Sequence, residues 1–155
     1  MKSHRKRKRL AYAFPDDYLP YLVARASHVI LHQFHALLKP RAMRVPEWRV
    51  LGTLSAGGGY TVGALARATL FKQPTLSKLL DRLERRRLVR RVAGGMDLRH
   101  SLVELTPRGR RRIAPVVAQA RRRELATLKN YKAPDVRAFK KLLKVFTAGF
   151  ERKAG

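Results

Sequence analysis

The sequence contains no cysteine. Disulfide scaffolds, cysteine metal sites, thiol catalysis and thiol redox sensing are therefore excluded. It is also poor in acids: 10 Asp and Glu stand against 36 Lys and Arg in 155 residues, a formal charge of +26. No apolar run approaches the roughly 18 residues that a membrane-spanning helix needs. Residues 2–9 are basic, like the start of a signal peptide, but only LAYAF follows before Pro15-Asp16-Asp17. That apolar stretch is too short for such a leader, and a cytoplasmic protein is expected. There is no glycine-rich phosphate loop and no nucleophile–base arrangement, and the carboxylates are scattered singly or paired locally. An enzyme is the weakest reading.

What is present is a globular composition, 45% hydrophobic, in a chain long enough for one domain with appended elements. A charge of +26 repels itself unless a polyanion neutralises it. Nucleic acid is the leading partner and an anionic membrane surface the second. The excess is uneven. Residues 1–9 carry six bases and no acids, residues 10–70 a net +3, residues 71–112 a net +9 and residues 113–155 a net +8. Residues 1–9 lack apolar periodicity and read as a disordered basic arm, suited either to phosphates and a minor groove or merely to solubility. Residues 10–155 read as a single domain.

Apolar residues at helical spacing run from Tyr18 to Leu38: Leu19, Leu22, Val23, Ala26, Val29, Ile30, Phe34 and Leu37. Pro40 ends this helix. Pro46 can open a second, through Trp48 to Leu54, and Gly57-Gly58-Gly59 stops it. Thr61 can cap a third, short helix with Val62, Leu65 and Ala66 on its apolar side. Pro74 marks the first turn of a fourth, running to about Arg86. A short helix, a tight turn and a second helix make a helix-turn-helix. Two β-prone runs follow, residues 88–92 and 102–105, with Gly94-Gly95-Met96-Asp97 between them. A hairpin there completes the plan of a winged helix. Thr106-Pro107 then caps a long helix to about Leu128, and Ala133-Pro134-Asp135 starts a last one bearing Phe139, Leu142, Leu143, Phe146 and Phe150. The fold expected is mainly α with a small β-hairpin wing.

On the fourth helix Leu76, Leu79, Leu80 and Leu83 share roughly 100° of arc and form a core face. Its opposite face is polar. In a major groove Gln73, Thr75, Ser77 and Lys78, near the N-terminal end, would reach base edges, with Lys72 beside them. Arg82, Arg85 and Arg86 suit phosphates. On the hairpin, Arg90 and Arg91 occupy the first strand, and Arg99 with His100 stands just past the tip. Asp97, two residues away, can orient the Arg99 guanidinium. A presented arginine at a β-tip suits a narrow, electronegative minor groove. The bland alternatives are a solvated helix face and a local salt bridge that rigidifies the loop.

These residues carry a resemblance. The stretch from Asp97 to Arg110, DLRHSLVELTPRGR, resembles the D-x-R-x-x-x-V-x-L-T-x-x-G-R wing signature of the MarR family of bacterial transcriptional regulators. Residues 72–84, KQPTLSKLLDRLE, resemble the same family's recognition helix, and Glu47-Trp48-Arg49-Val50-Leu51 its second helix. The likeness covers roughly residues 17–150. It implies a winged helix-turn-helix at about 46–106 and dimerisation helices at about 17–39 and 107–150. It also implies a homodimer over a pseudo-palindromic double-stranded DNA operator, most simply a repressor released by a small aromatic or phenolic acid. Tyr21, Arg25, His28, His32 and Trp48 are the candidates by position for that ligand. One position departs from the pattern. Arg87 stands where the family usually has glycine, so mild backbone strain or a shifted helix end is expected.

His28, His32 and His35 fall within about 60° of one helix face. Imidazoles one turn apart have a metal-binding spacing, but no cysteine and no obvious carboxylate accompanies them. A polar face toward solvent or a partner protomer is the preferred reading, and neither a metal nor another cofactor is expected. The last helix, whose Lys140, Lys141 and Lys144 also permit a basic amphipathic reading, is read as dimer core before membrane anchor. The main alternative to a sequence-specific regulator is an architectural DNA-binding protein with little sequence preference, which the charge and the basic arm both fit.

Overall fold

The computed structural model describes residues 13–93 and 101–153. It forms two compact units, Met1–Ala42 and Met43–Gly155. In the first, α1 spans Leu19–His35 with Pro20 in its opening turn. It ends three residues before the expected Leu38. The chain then passes through a 3₁₀ turn at Lys39–Arg41 that contains Pro40, and Ala42 closes it at φ 45°. Pro40 has no N–H to give the Ala36 carbonyl and its ring would crowd that carbonyl, so the α-helix cannot continue through it. Leu37 and Leu38 are buried, while Leu19, Leu22, Val23, Val29 and Ile30 of α1 are exposed. The helical period is as expected, and the face it defines is uncovered.

The second unit opens with α2, Val45–Leu54, which Gly57, Gly58 and Gly59 follow with φ of +90°, +87° and +68°. Strand β1, Tyr60–Thr61, leads into α3, Val62–Thr69, where Thr61 Oγ1 accepts the Ala64 N–H at 3.2 Å. That is the expected cap. After a turn through Leu70, itself left-handed at φ 58°, α4 runs Gln73–Arg85. Strands β2, Val89–Ala93, and β3, Ser101–Leu105, are antiparallel, pairing Val89 with Leu105 at one end and Ala93 with Ser101 at the other. Helix α5 is Pro107–Leu128 and α6 is Ala133–Lys153.

The sheet has three strands in the order β1-β3-β2, one more than the expected hairpin. Tyr60 pairs with Val103 and Thr61 with Leu102. Two residues cannot display an alternating pattern, so β1 leaves no periodic trace in the sequence. Val50, Leu51 and Leu54 of α2, Leu65 of α3, Leu76, Leu80 and Leu83 of α4, Val103 and Leu105 of β3, and Ile113 and Val116 of α5 are all buried. Each such side chain contributes roughly 1.5–3 kcal/mol by leaving water. This core fixes how α4 is presented. No described helix is long and apolar enough to cross a membrane.

Candidate nucleic-acid interface

Helix α4 is divided as its wheel requires: Leu76, Leu79, Leu80 and Leu83 are buried. Lys72, Gln73, Thr75, Lys78, Arg82 and Arg85 are exposed, and Ser77 is half-buried. Pro74 occupies the first turn, where its missing N–H costs no helical bond. The exposed residues at this N-terminal end are short or polar, whereas the arginines lie toward the C-terminal end. Gln73 also leans over the start of α3, where its Nε2 would lie 3.5 Å from a methyl group at Gly63.

The base of the wing is tied to α4 by ion pairs. Arg91 Nη2 donates to Asp81 Oδ1 at 2.8 Å, its other terminal nitrogen reaches Glu84, and its backbone N–H donates to Glu84 Oε1 at 3.2 Å. The hydrogen bond to Asp81 is the main cause that raises the Arg91 pKa; burial opposes it, and the nearby Glu84 and Asp81 charges add to it. Arg91 therefore stays charged and held. Arg90 pairs across the ribbon with Glu104 at 3.2 Å. Sequence reasoning placed both arginines among the DNA-binding residues; the structure shows that acids already orient both. Asp97, Arg99 and His100 lie outside the described residues.

Helix α4 ends in two hydrogen bonds, Arg87 N–H to the Glu84 carbonyl at 2.8 Å and Leu88 N–H to the Leu83 carbonyl at 2.9 Å. This closure requires a left-handed residue, and Arg87 supplies it at φ 56°. The strain expected from a non-glycine residue is present, at a cost of about 1 kcal/mol. One residue earlier, Arg86 reaches back to α2, where Glu47 Oε2 accepts from its Nη1 at 2.9 Å. The Glu47 side chain is 6% exposed and that of Arg86 49%. Replacing Arg86 with alanine strands a buried carboxylate. The expected loss is about 1–3 kcal/mol, read as a lower denaturant midpoint with unchanged slope. Adding Glu47→Leu to that variant should recover most of it, because the acid then no longer needs a partner.

The ligand candidates fall into both units. Tyr21, Arg25, His28 and His32 lie on α1 and are exposed. The His28 and His32 rings stack with centroids 6.4 Å apart. No group of three or more potential metal donors occurs among the described residues. Trp48 lies on α2, half-buried, and with Arg49, Gly52, Thr53, Ala68, Thr69 and Leu70 it lines a cleft of about 380 Å³. The Arg49 guanidinium stands 5.8 Å above the Phe71 ring. Sequence reasoning missed this cleft, and also a second one lined by Arg86, Leu88, Arg108, Arg111 and Arg112. The signal for the second was the spacing of Arg108, Arg111 and Arg112, which puts three guanidiniums on one helix face.

A short helix, a tight turn, a polar-faced second helix and an antiparallel hairpin braced against it define a winged-helix DNA-binding protein. A MarR family description matches residues 43–100. An HTH-type transcriptional repressor of Mycobacterium tuberculosis is 34% identical over 131 residues, covering 83% of this chain and 92% of that repressor. Among solved structures, NadR in complex with 4-hydroxyphenylacetate has a TM-score of 0.78 at 22% identity, covering 94% of this chain and 97% of its own. CouR bound to a 23-mer DNA duplex has a TM-score of 0.71 at 24% identity, covering 85% and 94%. These two share the fold. The chain belongs to the MarR family of transcriptional regulators.

Proposed function

We propose that this chain is a cytoplasmic, homodimeric repressor that recognises a pseudo-palindromic operator and leaves it when a small aromatic acid binds. The observation that carries the reading is the presentation of α4. Its leucines are buried, and Gln73, Thr75 and Lys78 are exposed at the end that would enter a major groove. Gln73, Thr75, Ser77 and Lys78 read base edges, while Lys72, Arg82 and Arg85 neutralise phosphates. Arg91, held by Asp81 and Glu84, sets the angle at which the wing leaves α4. Arg90 lies along the backbone, and Arg99, oriented by Asp97 and flanked by His100, enters the minor groove. The HTH-type repressor relative and the DNA-bound CouR support this reading.

For the effector, the 4-hydroxyphenylacetate held by NadR suggests the ligand class. Tyr21, Arg25, His28 and His32 on α1 offer rings and cations for such a ligand, and Trp48 with Arg49 beside it offers the same pair in the second unit. Operator selection from random DNA is the deciding experiment. The expected product is two half-sites about one helical turn apart, preferred over random DNA by roughly 10³ or more. Absence of any preference would favour the architectural reading, which the charge outside α4 and the wing also fits. On the selected operator Arg99→Ala should weaken binding by about 1–3 kcal/mol and leave the dimer intact. Loss of dimerisation instead would make Arg99 structural.

A further inference from the structure

We infer that Leu70, in the turn between α3 and α4, is a specificity-determining residue whose side chain packs on the C5-methyl group of a thymine; the inference rests on the reading of α4 as the operator-binding helix. Helix α3 closes with two hydrogen bonds, Leu70 N–H to the Arg67 carbonyl at 3.2 Å and Phe71 N–H to the Ala66 carbonyl at 3.0 Å. This pair of bonds needs a left-handed residue at position 70, and glycine is the usual choice. Leucine fills it at φ 58° and ψ 36°, a conformation that its Cβ disfavours. The side chain is also 76% exposed, more than any other large hydrophobic side chain among the described residues.

Neither cost is recovered within the chain. Leu70 lies at the rim of the Trp48 cleft and stays mostly in water. The exposed apolar residues of α1 and α6 recur along helix faces, whereas Leu70 stands in a turn. That turn is held on both sides. Thr69 is buried, its Oγ1 donating to the Leu65 carbonyl at 2.6 Å. Phe71 is half-buried, with the Arg49 guanidinium 5.8 Å from its ring centroid. Leu70 is therefore projected from between two anchored neighbours. Strain and exposure kept together on a fixed turn point to a contact made outside the chain.

The surroundings select the partner. Arg67 and Lys72 flank Leu70 and are exposed, and no acid occurs between Glu47 and Asp81. One leucine among bases fits an anionic surface with a small apolar feature; a protein interface would need a contiguous apolar patch. Leu70 precedes Gln73, the first residue of α4, by three positions, so their Cα atoms lie within about 11 Å. A major groove is about 12 Å wide, so a duplex that meets Gln73 and Thr75 is within reach of Leu70. The apolar feature that this groove offers is the thymine methyl. Gln73, Thr75, Ser77 and Lys78 address hydrogen-bonding edges, and Leu70 adds the one group that hydrogen bonds cannot read.

The test uses the full-length protein and its selected operator at fixed salt, with Leu70→Gly and Leu70→Asn, since both new residues accept the left-handed conformation. Leu70→Gly should raise the melting temperature by about 2–4 °C, because the strain is gone. It should also weaken operator binding about tenfold, because both half-sites lose an apolar contact. Leu70→Asn should bind as weakly. A deoxyuridine scan deletes one thymine methyl at a time. It should find a position in each half-site where the wild type loses about threefold or more and Leu70→Gly loses nothing. Identical responses of the two proteins at every thymine would overturn the inference. An equal loss by Leu70→Gly on operator and random DNA would set the leucine against the sugar–phosphate backbone and overturn base reading. A changed oligomeric state in that variant would assign the leucine to a protein contact and overturn it too. These failures leave α4 as the reading helix; a selection that yields no preferred site would fail that reading itself, and Leu70 with it.

Discussion

Replacing Gly109 with alanine is expected to destabilise the second unit by about 3 kcal/mol or more, the upper end of what overpacking costs. The added methyl group would meet the Leu88 carbonyl oxygen at 2.0 Å, its carbon at 3.0 Å and Leu105 Cδ2 at 3.1 Å. A flexible side chain could swing away from such a contact; a carbonyl already accepting from Thr106 cannot move without pulling β2 with it. Either the first turn of α5 lifts off the sheet or the strand entering the wing shifts. The melting temperature should fall by about 10 °C, at 2–4 °C per kcal/mol for a chain of this size. Gly149 is the matched control, since a methyl group there meets nothing within 4 Å. Alanine at 149 should stabilise α6 by about 0.5–1 kcal/mol through backbone entropy alone. An unchanged melt for Gly109→Ala would mean that α5 does not start against Leu88.

The glycine belongs to the L-T-x-x-G-R stretch that marked the wing in the sequence, and the structure supplies its physical reason. Local signals of this kind were legible. Thr106-Pro107 set the start of α5 and Thr61 that of α3, because caps act within three residues. The four leucines of α4 gave its buried face, because a helix repeats its pattern within two turns. Arg87 in the left-handed region was legible too, from the departure at a glycine position. Strand β1 was not, being two residues long. Nor was the occupation of Arg91 by Asp81 and Glu84, which needs β2 folded back along α4. An exposed arginine reads as a phosphate contact until its acid partners are located in space. The same limit hid the arginine cleft, whose two halves lie about twenty positions apart and meet where Thr106 and Gly109 pack against the Leu88 carbonyl.

Charging the apolar stripe of α6 should separate the protomers and cost operator affinity more than any single DNA contact. Phe139, Leu142, Leu143 and Phe146 are 57%, 62%, 41% and 49% exposed. They fall within roughly 100° of arc on one helix face. About half of the α6 stripe's surface is therefore exposed. An exposed stripe of this size at the end of a regulator fits a second copy, because two-fold pairing lets one patch cover its own image. In the variant Leu142→Asp with Phe146→Asp, symmetry enters each change twice, so four apolar contacts are lost. At roughly 1.5 kcal/mol each the dimer weakens by about 6 kcal/mol, about four orders of magnitude in dissociation constant. Each carboxylate must also leave water to enter the interface, which adds to the loss. Sedimentation velocity at micromolar concentration should show a monomer. Operator binding should fall at least about 100-fold, since a monomer engages one half-site and forgoes the linked second contact. Lys141→Ala with Lys144→Ala, on the opposite face of the same helix, should leave the dimer unchanged. If the aspartate variant stayed dimeric but lost binding to anionic vesicles, the stripe would be a membrane contact and the interface would lie elsewhere.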